Sequence, residues 1–184
     1  MKKITVLLVL VAFAACQKVK NLANISFNVP YSQTISVPGV PGYLYGISLP
    51  DGGLDLPFPA VTVATNARQY FDQYHASSKN VVSVYLSSLD MQVIAPPNQF
   101  FDFLDSIQLF ISTETQPEVL VAYEYNIPKF QKEIILSVVP GLNLKDYFVQ
   151  DSMTVRLNAH VNAVPASGTQ LQISGQFRCT ANPL

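Results

Sequence analysis

An alternation of apolar and polar residues with a period of two runs from Asn24 to the end of the chain. A period of two places successive side chains on opposite faces of an extended strand, so the pattern is typical of β-strands with one buried face. It is clearest near the carboxyl terminus, where apolar residues occupy every second position over 153–163 and again, apart from Gly175, over 171–179. Residues 165–168 can turn the chain, and we predict an antiparallel hairpin there.

Other segments carry the same strand pattern and are separated by proline and glycine clusters, such as residues 38–42 and Pro140-Gly141. In one of them the alternation changes phase, because apolar residues fall at even positions over 82–86 and at odd positions over 89–93. Since a one-residue shift moves side chains to the opposite face, the change predicts a β-bulge near Ser87-Ser88. The strand candidates are residues 25–29, 35–37, 82–93, 106–112, 118–125, 132–138, 152–164 and 169–180.

One helical pattern interrupts the strands after Thr65-Asn66, which can supply an N-cap. The apolar residues at helical spacing are Ala67, Tyr70, Phe71 and Tyr74. We predict two to three turns of helix lying across an open end of the sheets, and a second short turn over 143–148. The whole pattern predicts an all-β fold: an antiparallel β-sandwich of immunoglobulin-like architecture, with about eight strands and one short helix. A closed barrel is the alternative.

The amino terminus has the order of a secretion signal. Met1-Lys2-Lys3 is a short positive segment, and residues 4–13 form an unbroken apolar run. A run of about ten apolar residues matches the core of a signal peptide, whereas a membrane-spanning helix needs about 20. We therefore expect the chain to be exported.

The end of that run, Phe13-Ala14-Ala15-Cys16, resembles the lipobox of bacterial lipoproteins, and residues 1–16 are similar to those of small lipoproteins from Gram-negative bacteria of the Bacteroidota type. The resemblance implies that Cys16 becomes the first mature residue and carries acyl chains, which anchor it stably to a membrane. Gln17 stands where Asp would imply retention in the inner membrane, so the resemblance points to the outer membrane. Lys18 and Lys20 favour its periplasmic face, with surface exposure as the alternative.

Ordinary signal peptidase cleavage after Ala14 is the competing interpretation of this terminus. The two interpretations differ in what they imply for Cys16 and Cys179, which are the two cysteines of the chain. Lipidation of Cys16 leaves Cys179 as a single thiol, whereas plain secretion leaves two thiols that can pair. We divide the chain into a signal peptide (1–15), a lipidated tether (16–23) and the β-sandwich domain (24–184).

The charge of the chain argues against a nucleic-acid partner. Charged residues make up 12% of the sequence, against about 25% in a typical soluble protein. The formal net charge is −1, and the lysines are scattered. No basic patch is therefore available for phosphate contacts.

Asp102 and Asp105 form the nearest approach to a catalytic carboxylate pair. A glycosidase needs two such groups flanking a cleft, and the surrounding phenylalanines could raise one pKa. Carboxylates that border a strand also cap turns by accepting backbone N–H groups, and we favour that role here.

The other candidate side chains also have a structural interpretation. Asp51 and Asp55 could offer oxygen ligands to calcium, but Asp51-Gly52 after a proline is more typical of a turn. His160 lies on the polar face of its strand, and His75 at the end of the helix, where a cation suits the helix dipole. Cys179 has the phase of an inert core residue. We find no zinc, phosphate-binding or serine-nucleophile motif and expect neither cofactor nor metal.

The aromatic residues are Phe and Tyr, with no Trp. Tyr43 and Tyr45, beside Pro-Gly turns, are the candidates for exposed binding aromatics, and most of the others have the periodicity of core.

Together these observations predict a cell-envelope lipoprotein that acts as a non-catalytic binding or scaffolding module for a ligand the sequence does not identify, with an envelope protein as the candidate partner. A hydrolase of envelope polymers acting through Asp102 and Asp105 is one alternative, which a carboxylate-lined groove would favour. A structural subunit of an envelope assembly is the other, which an exposed apolar patch or an unpaired edge strand would favour.

Overall fold

A computed structural model describes residues 24–37 and 49–182 of the chain. The predicted signal peptide, the tether and the lipidation site Cys16 lie outside the described residues, and so do Tyr43 and Tyr45. None of the helices in the described ranges is long and apolar enough to cross a membrane.

Ten β-strands and two short α-helices make up most of the described chain. The strands are β1 (Ile25–Ser36), β2 (Leu54–Pro57), β3 (Val61–Ala64), β4 (Val81–Ala95), β5 (Leu104–Ser112), β6 (Val119–Tyr125), β7 (Glu133–Ile135), β8 (Ser137–Val138), β9 (Ser152–Val161) and β10 (Gln170–Ala181). The helices are α1 (Ala67–Gln73) and α2 (Lys145–Phe148). The predicted helix and the predicted second turn correspond to α1 and α2.

The strands form two antiparallel sheets. The first sheet has the order β1-β10-β4-β7, and the second has the order β2-β9-β5-β6-β8, with β3 also paired to β9. The inner faces of both sheets contribute to a single cluster of buried apolar residues. The predicted all-β antiparallel sandwich is therefore confirmed.

The strand order defines how the sandwich is connected. If β2 and β3 are counted as two halves of one strand, and β7 and β8 likewise, the chain has the eight strands of a jelly roll, a double Greek key. The immunoglobulin-like prediction holds for the layered architecture, but the connections differ. Here the first strand pairs with the last, whereas an immunoglobulin domain pairs its first strand with its second.

The β-bulge predicted near Ser87-Ser88 is present. Ser87 is the extra residue, since the residues on its two sides pair with Phe177 and Gln176, which are adjacent in β10. Its hydroxyl donates to the backbone oxygen of Gln176 over 2.7 Å. A second irregularity, opposite the end of β10, leaves Val82 exposed, although the alternation predicted that it would point inward.

The final two strands do not form the predicted hairpin. β9 belongs to the second sheet and β10 to the first, so residues 165–168 cross from one layer of the sandwich to the other. The predicted faces are nevertheless correct, because the inward residues of both strands are buried. Alternation fixes which face of a strand is buried but carries no information on its pairing partner.

Helix α1 packs over the end of the first sheet at which β1 begins. The Thr65 hydroxyl accepts a hydrogen bond from the N–H of Ala67 over 3.4 Å and donates to the backbone oxygen of Gln150 over 2.5 Å. The buried ring of Phe71 contacts Phe27 of β1 and Phe148 of α2, with ring centroids 6.3 and 6.4 Å away. The helix therefore closes this end of the sandwich with aromatic packing.

Candidate binding groove

A groove runs along one open side of the sandwich, between β1 at the edge of the first sheet and β3 at the edge of the second. We call it the binding groove. One half of it encloses about 210 Å³ and is lined by residues 31, 33–36, 58, 59, 61 and 63 together with side chains of β9 and β10. Its apolar lining includes Ile35, Phe58 and Val63.

The groove continues beside the first half of β1. This second half encloses about 410 Å³ between residues 30–33 and 63–66, with Tyr70 of α1 at one end. Both halves share Tyr31, Gln33 and Val63, so they form one continuous feature. The groove follows β1 from residue 30 to residue 36, a length of roughly 20 Å at about 3.3 Å per residue. The described residues that line it include no charged side chain.

The backbone of β1 is bonded to β10 at alternate residues. In an antiparallel pair, the N–H and C=O groups of successive residues point alternately to the partner strand and away from it. The N–H of Val37 donates to the oxygen of Thr169 over 2.9 Å, and these two residues continue the β1–β10 register. The N–H groups of Gln33 and Ile35, which share the phase of Val37, therefore point to β10.

The residues in the opposite phase present their backbone groups to the open side. These are Ser32, Thr34 and Ser36, whose side chains are exposed. Pro30 has the same phase, so the N–H that proline lacks would have pointed away from β10. The hydrogen-bond ladder between β1 and β10 is therefore not interrupted at Pro30. The second half of β1 therefore offers outward backbone donors and acceptors that have no strand partner among the described residues.

Tyr31 lines both halves of the groove, and its side-chain hydroxyl is buried beneath the surface. Its oxygen is buried and has no hydrogen-bond partner among the described residues. Burial raises the pKa of Tyr31 to about 12, so the hydroxyl stays protonated near neutral pH. The ring packs edge-on against Phe177, with centroids 6.4 Å apart.

Asp102 and Asp105 hold the loop between β6 and β7 and do not line the groove. Asp102 accepts the N–H of Phe130 over 2.5 Å, at a residue whose φ is +59°. Asp105 accepts the Lys129 ammonium group over 3.1 Å and the side-chain amide of Asn162. Asp102 thus has the turn-capping role that we favoured for carboxylates bordering a strand, whereas Asp105 accepts hydrogen bonds from side-chain donors.

The Asp-Gly segment before β2 forms a turn at residues 50–53, closed by a backbone hydrogen bond of 2.9 Å between its ends. His160 of β9 fastens this turn, because its Nδ1 lies 2.7 Å from Asp55 Oδ1 and its Nε2 lies 2.6 Å from the oxygen of Gly52. Both ring nitrogens donate only when the imidazole is protonated. The hydrogen bonds to Asp55 and then to Gly52 accordingly raise the pKa of His160.

The remaining candidates from the sequence occupy structural positions. His75 follows α1 with a φ of +51°, and its N–H donates to the oxygen of Asp72 over 3.2 Å at the helix end. Cys179 is a buried thiol, and burial raises its pKa to about 12. Within the described ranges, no group of three or more His, Cys, Asp or Glu residues could hold a metal ion.

The groove itself was missed by reasoning from the sequence. Two signals in β1 point towards it. Gln33 falls in the inward phase between Tyr31 and Ile35, which is unusual for a polar residue in a packed core. Pro30 interrupts an otherwise strong strand pattern, which is typical of an edge strand.

Comparisons with known proteins add little to this geometry. No family model matches the chain, and no curated protein matches it. Among solved structures, a chain of Desmodium yellow mottle tymovirus is similar over 87% of this chain and 90% of its own length, at 11% sequence identity and a TM-score of 0.30. A TM-score this low carries no argument, so strand order alone defines the jelly roll.

Proposed function

We propose that the protein is a cell-envelope lipoprotein, held at the periplasmic face of the outer membrane by a lipid on Cys16, that acts as a non-catalytic binding or scaffolding module through the binding groove. The observation that carries the binding role is the groove itself. It combines apolar side chains with the outward backbone of β1, whose N–H and C=O groups have no strand partner among the described residues. Ligand sites typically combine apolar walls with a few oriented polar groups in this way.

The tether fits this role. Residues 16–23 span at most roughly 29 Å when fully extended, at up to about 3.6 Å per residue. The sandwich would therefore stay close to the membrane. The chain enters the sandwich at Ile25, and the groove begins further along β1, at Pro30. That separation leaves the groove accessible to a partner while the lipid remains inserted.

A structural subunit of an envelope assembly is the second candidate. It is favoured by the same long edge strand, because an unpaired edge can join another sheet. A hydrolase acting through Asp102 and Asp105 has less support. Asp102 accepts the N–H of Phe130 and Asp105 pairs with the Lys129 ammonium group. Neither carboxylate lines the groove.

The anchor is tested by replacing Cys16 with Ser. We expect the variant to move from the membrane pellet to the soluble envelope fraction, because the thioether-linked acyl chains supply the binding energy, about 0.8 kcal/mol per buried CH₂. The measurement is detergent partitioning of both proteins, with Cys179→Ser as the control that should stay with the membrane. If Cys16→Ser still partitions with the membrane, the protein is not a lipoprotein.

A further inference from the structure

The free edges of the two sheets differ in length. At one end of the first sheet β7 has three residues, and in the second sheet β8 has two and β2 and β3 have four each. Short edge strands are one way in which proteins prevent unwanted pairing. β1 has twelve residues and no charged side chain. Among the described strands it is therefore the edge that is least protected against the addition of another strand.

Pro30 divides this edge into two parts. An added strand that ran beside Pro30 would face a position without a donor, so continuous pairing is interrupted there. Ser32, Thr34 and Ser36 follow it with outward N–H and C=O groups. Thr34 and Ser36 line the half of the groove that contains Ile35 and Phe58, and Ser32 lines the other half. Backbone pairing and apolar contact are thus offered at the same place.

We propose that the binding groove takes an extended, uncharged polypeptide segment of a partner protein, which pairs with residues 32–36 as an added strand and turns alternate apolar side chains onto Ile35, Phe58 and Val63. This inference rests on the proposed binding function and names its ligand class. Strand addition characteristically gains affinity from main-chain hydrogen bonds and specificity from pockets for alternate side chains. An uncharged segment is required because no described residue of the lining could pair with a buried charge.

A second copy of this chain does not fit the groove as well as a free segment does. Two copies could pair their β1 strands through the backbone. The inward side chains of each β1, such as Phe27 and Val29, are already buried in their own domain. A paired copy would leave the groove unfilled, whereas a free extended segment can supply both the backbone and the side chains.

The test uses a fluorescently labelled, acetylated and amidated heptapeptide of alternating Thr and Val, titrated into the full mature chain carrying Cys16→Ser. A second probe has the same sequence with N-methyl groups on the valines, and a third has them on the threonines. One of these two patterns removes the donors that face β1, because alternate N–H groups of a strand point the same way. Fluorescence anisotropy gives the affinity of each probe.

Two protein variants complete the design. Thr34→Pro removes an outward N–H at a position that shares the phase of Pro30, and Thr34→Ala is the matched control that keeps the N–H. Val61→Asp places a charge at the partly exposed rim of the groove. Thermal unfolding verifies that each variant is folded, and the methylated probes test the pairing without changing the protein.

We expect Thr34→Pro and one methylated probe each to weaken binding by at least about tenfold, with Thr34→Ala within about twofold of the parent protein. If binding is unaffected by methylation and by Thr34→Pro but is lost in Val61→Asp, the groove binds the probe through apolar contact without backbone pairing, which would overturn strand addition while the binding function stands. Absence of saturable binding at about 1 mM probe would also overturn it. If sedimentation shows that the parent protein is a dimer and that Thr34→Pro dissociates it, the edge of β1 pairs with a second copy instead.

Discussion

A chain truncated after Asp151 is expected to lose cooperative unfolding altogether. The truncation removes β9 and β10, which are interior strands of the two sheets: β10 lies between β1 and β4, and β9 lies between β2 and β5. Without them β1 has no partner in its sheet and β5 loses one of its two. The measurement is circular dichroism during urea unfolding. A truncated protein that still unfolds cooperatively would contradict the assignment of both strands to the core.

Single substitutions in β10 measure how much one buried side chain of this strand contributes to the free energy of unfolding. Phe177 is 5% exposed and packs on Phe148, with ring centroids 4.9 Å apart. Phe177→Ala should therefore lower the free energy of unfolding by about 3 to 5 kcal/mol. The neighbouring side chain of Gln176 is exposed, and its backbone oxygen, which binds Ser87, is kept in Gln176→Ala. That control should cost under about 0.5 kcal/mol. Equal losses at the two positions would show that the phase of β10 is misassigned.

Gly53→Ala is expected to lower the free energy of unfolding by about 2 to 5 kcal/mol. Gly53 has a φ of +85°, a left-handed conformation that costs a residue with a Cβ about 1 to 2 kcal/mol. A Cβ at this position would also stand 2.5 Å from the backbone oxygen of Val161 and 2.7 Å from Nε2 of His160. Relieving that overlap requires β2 to move away from β9, at a further cost of about 1 to 3 kcal/mol.

The adjacent glycine provides a matched control. Gly52 also has a positive φ, of +96°, but a Cβ there meets nothing within 4 Å. Gly52→Ala should therefore cost only the backbone strain, about 1 to 2 kcal/mol. Urea unfolding of the two variants isolates the steric contribution. Indistinguishable losses would mean that the turn at residues 50–53 does not pack against β9 as described.

Much of the fold could be predicted from the sequence, because several of its features depend on the pattern of apolar residues within one segment. The period of two identified the buried faces of β9 and β10, because a strand must turn alternate side chains inward. The change of phase within β4 located the bulge at Ser87. The spacing of Ala67 and Phe71 located α1. Each of these features is a property of one segment and its own burial.

Strand pairing and the groove were harder to predict because they depend on segments far apart in the chain. The short turn before β10 suggested a hairpin, yet the chain crosses between sheets there and pairs β10 with β1, at the other end of the sequence. The groove forms where the edges of β1 and β3 diverge, and neither segment alone specifies that gap. Only Pro30 and the inward Gln33 marked β1 as an edge strand.

The central claim is that the second half of β1 is an open edge beside an accessible groove, and amide hydrogen exchange of the native protein measures this most directly. We predict slow exchange at Gln33 and Ile35, whose N–H groups point to β10, and fast exchange at Ser32, Thr34 and Ser36, whose N–H groups point outward. Protection at those three amides comparable to that of Ile35 would contradict the account, because the edge would already be covered.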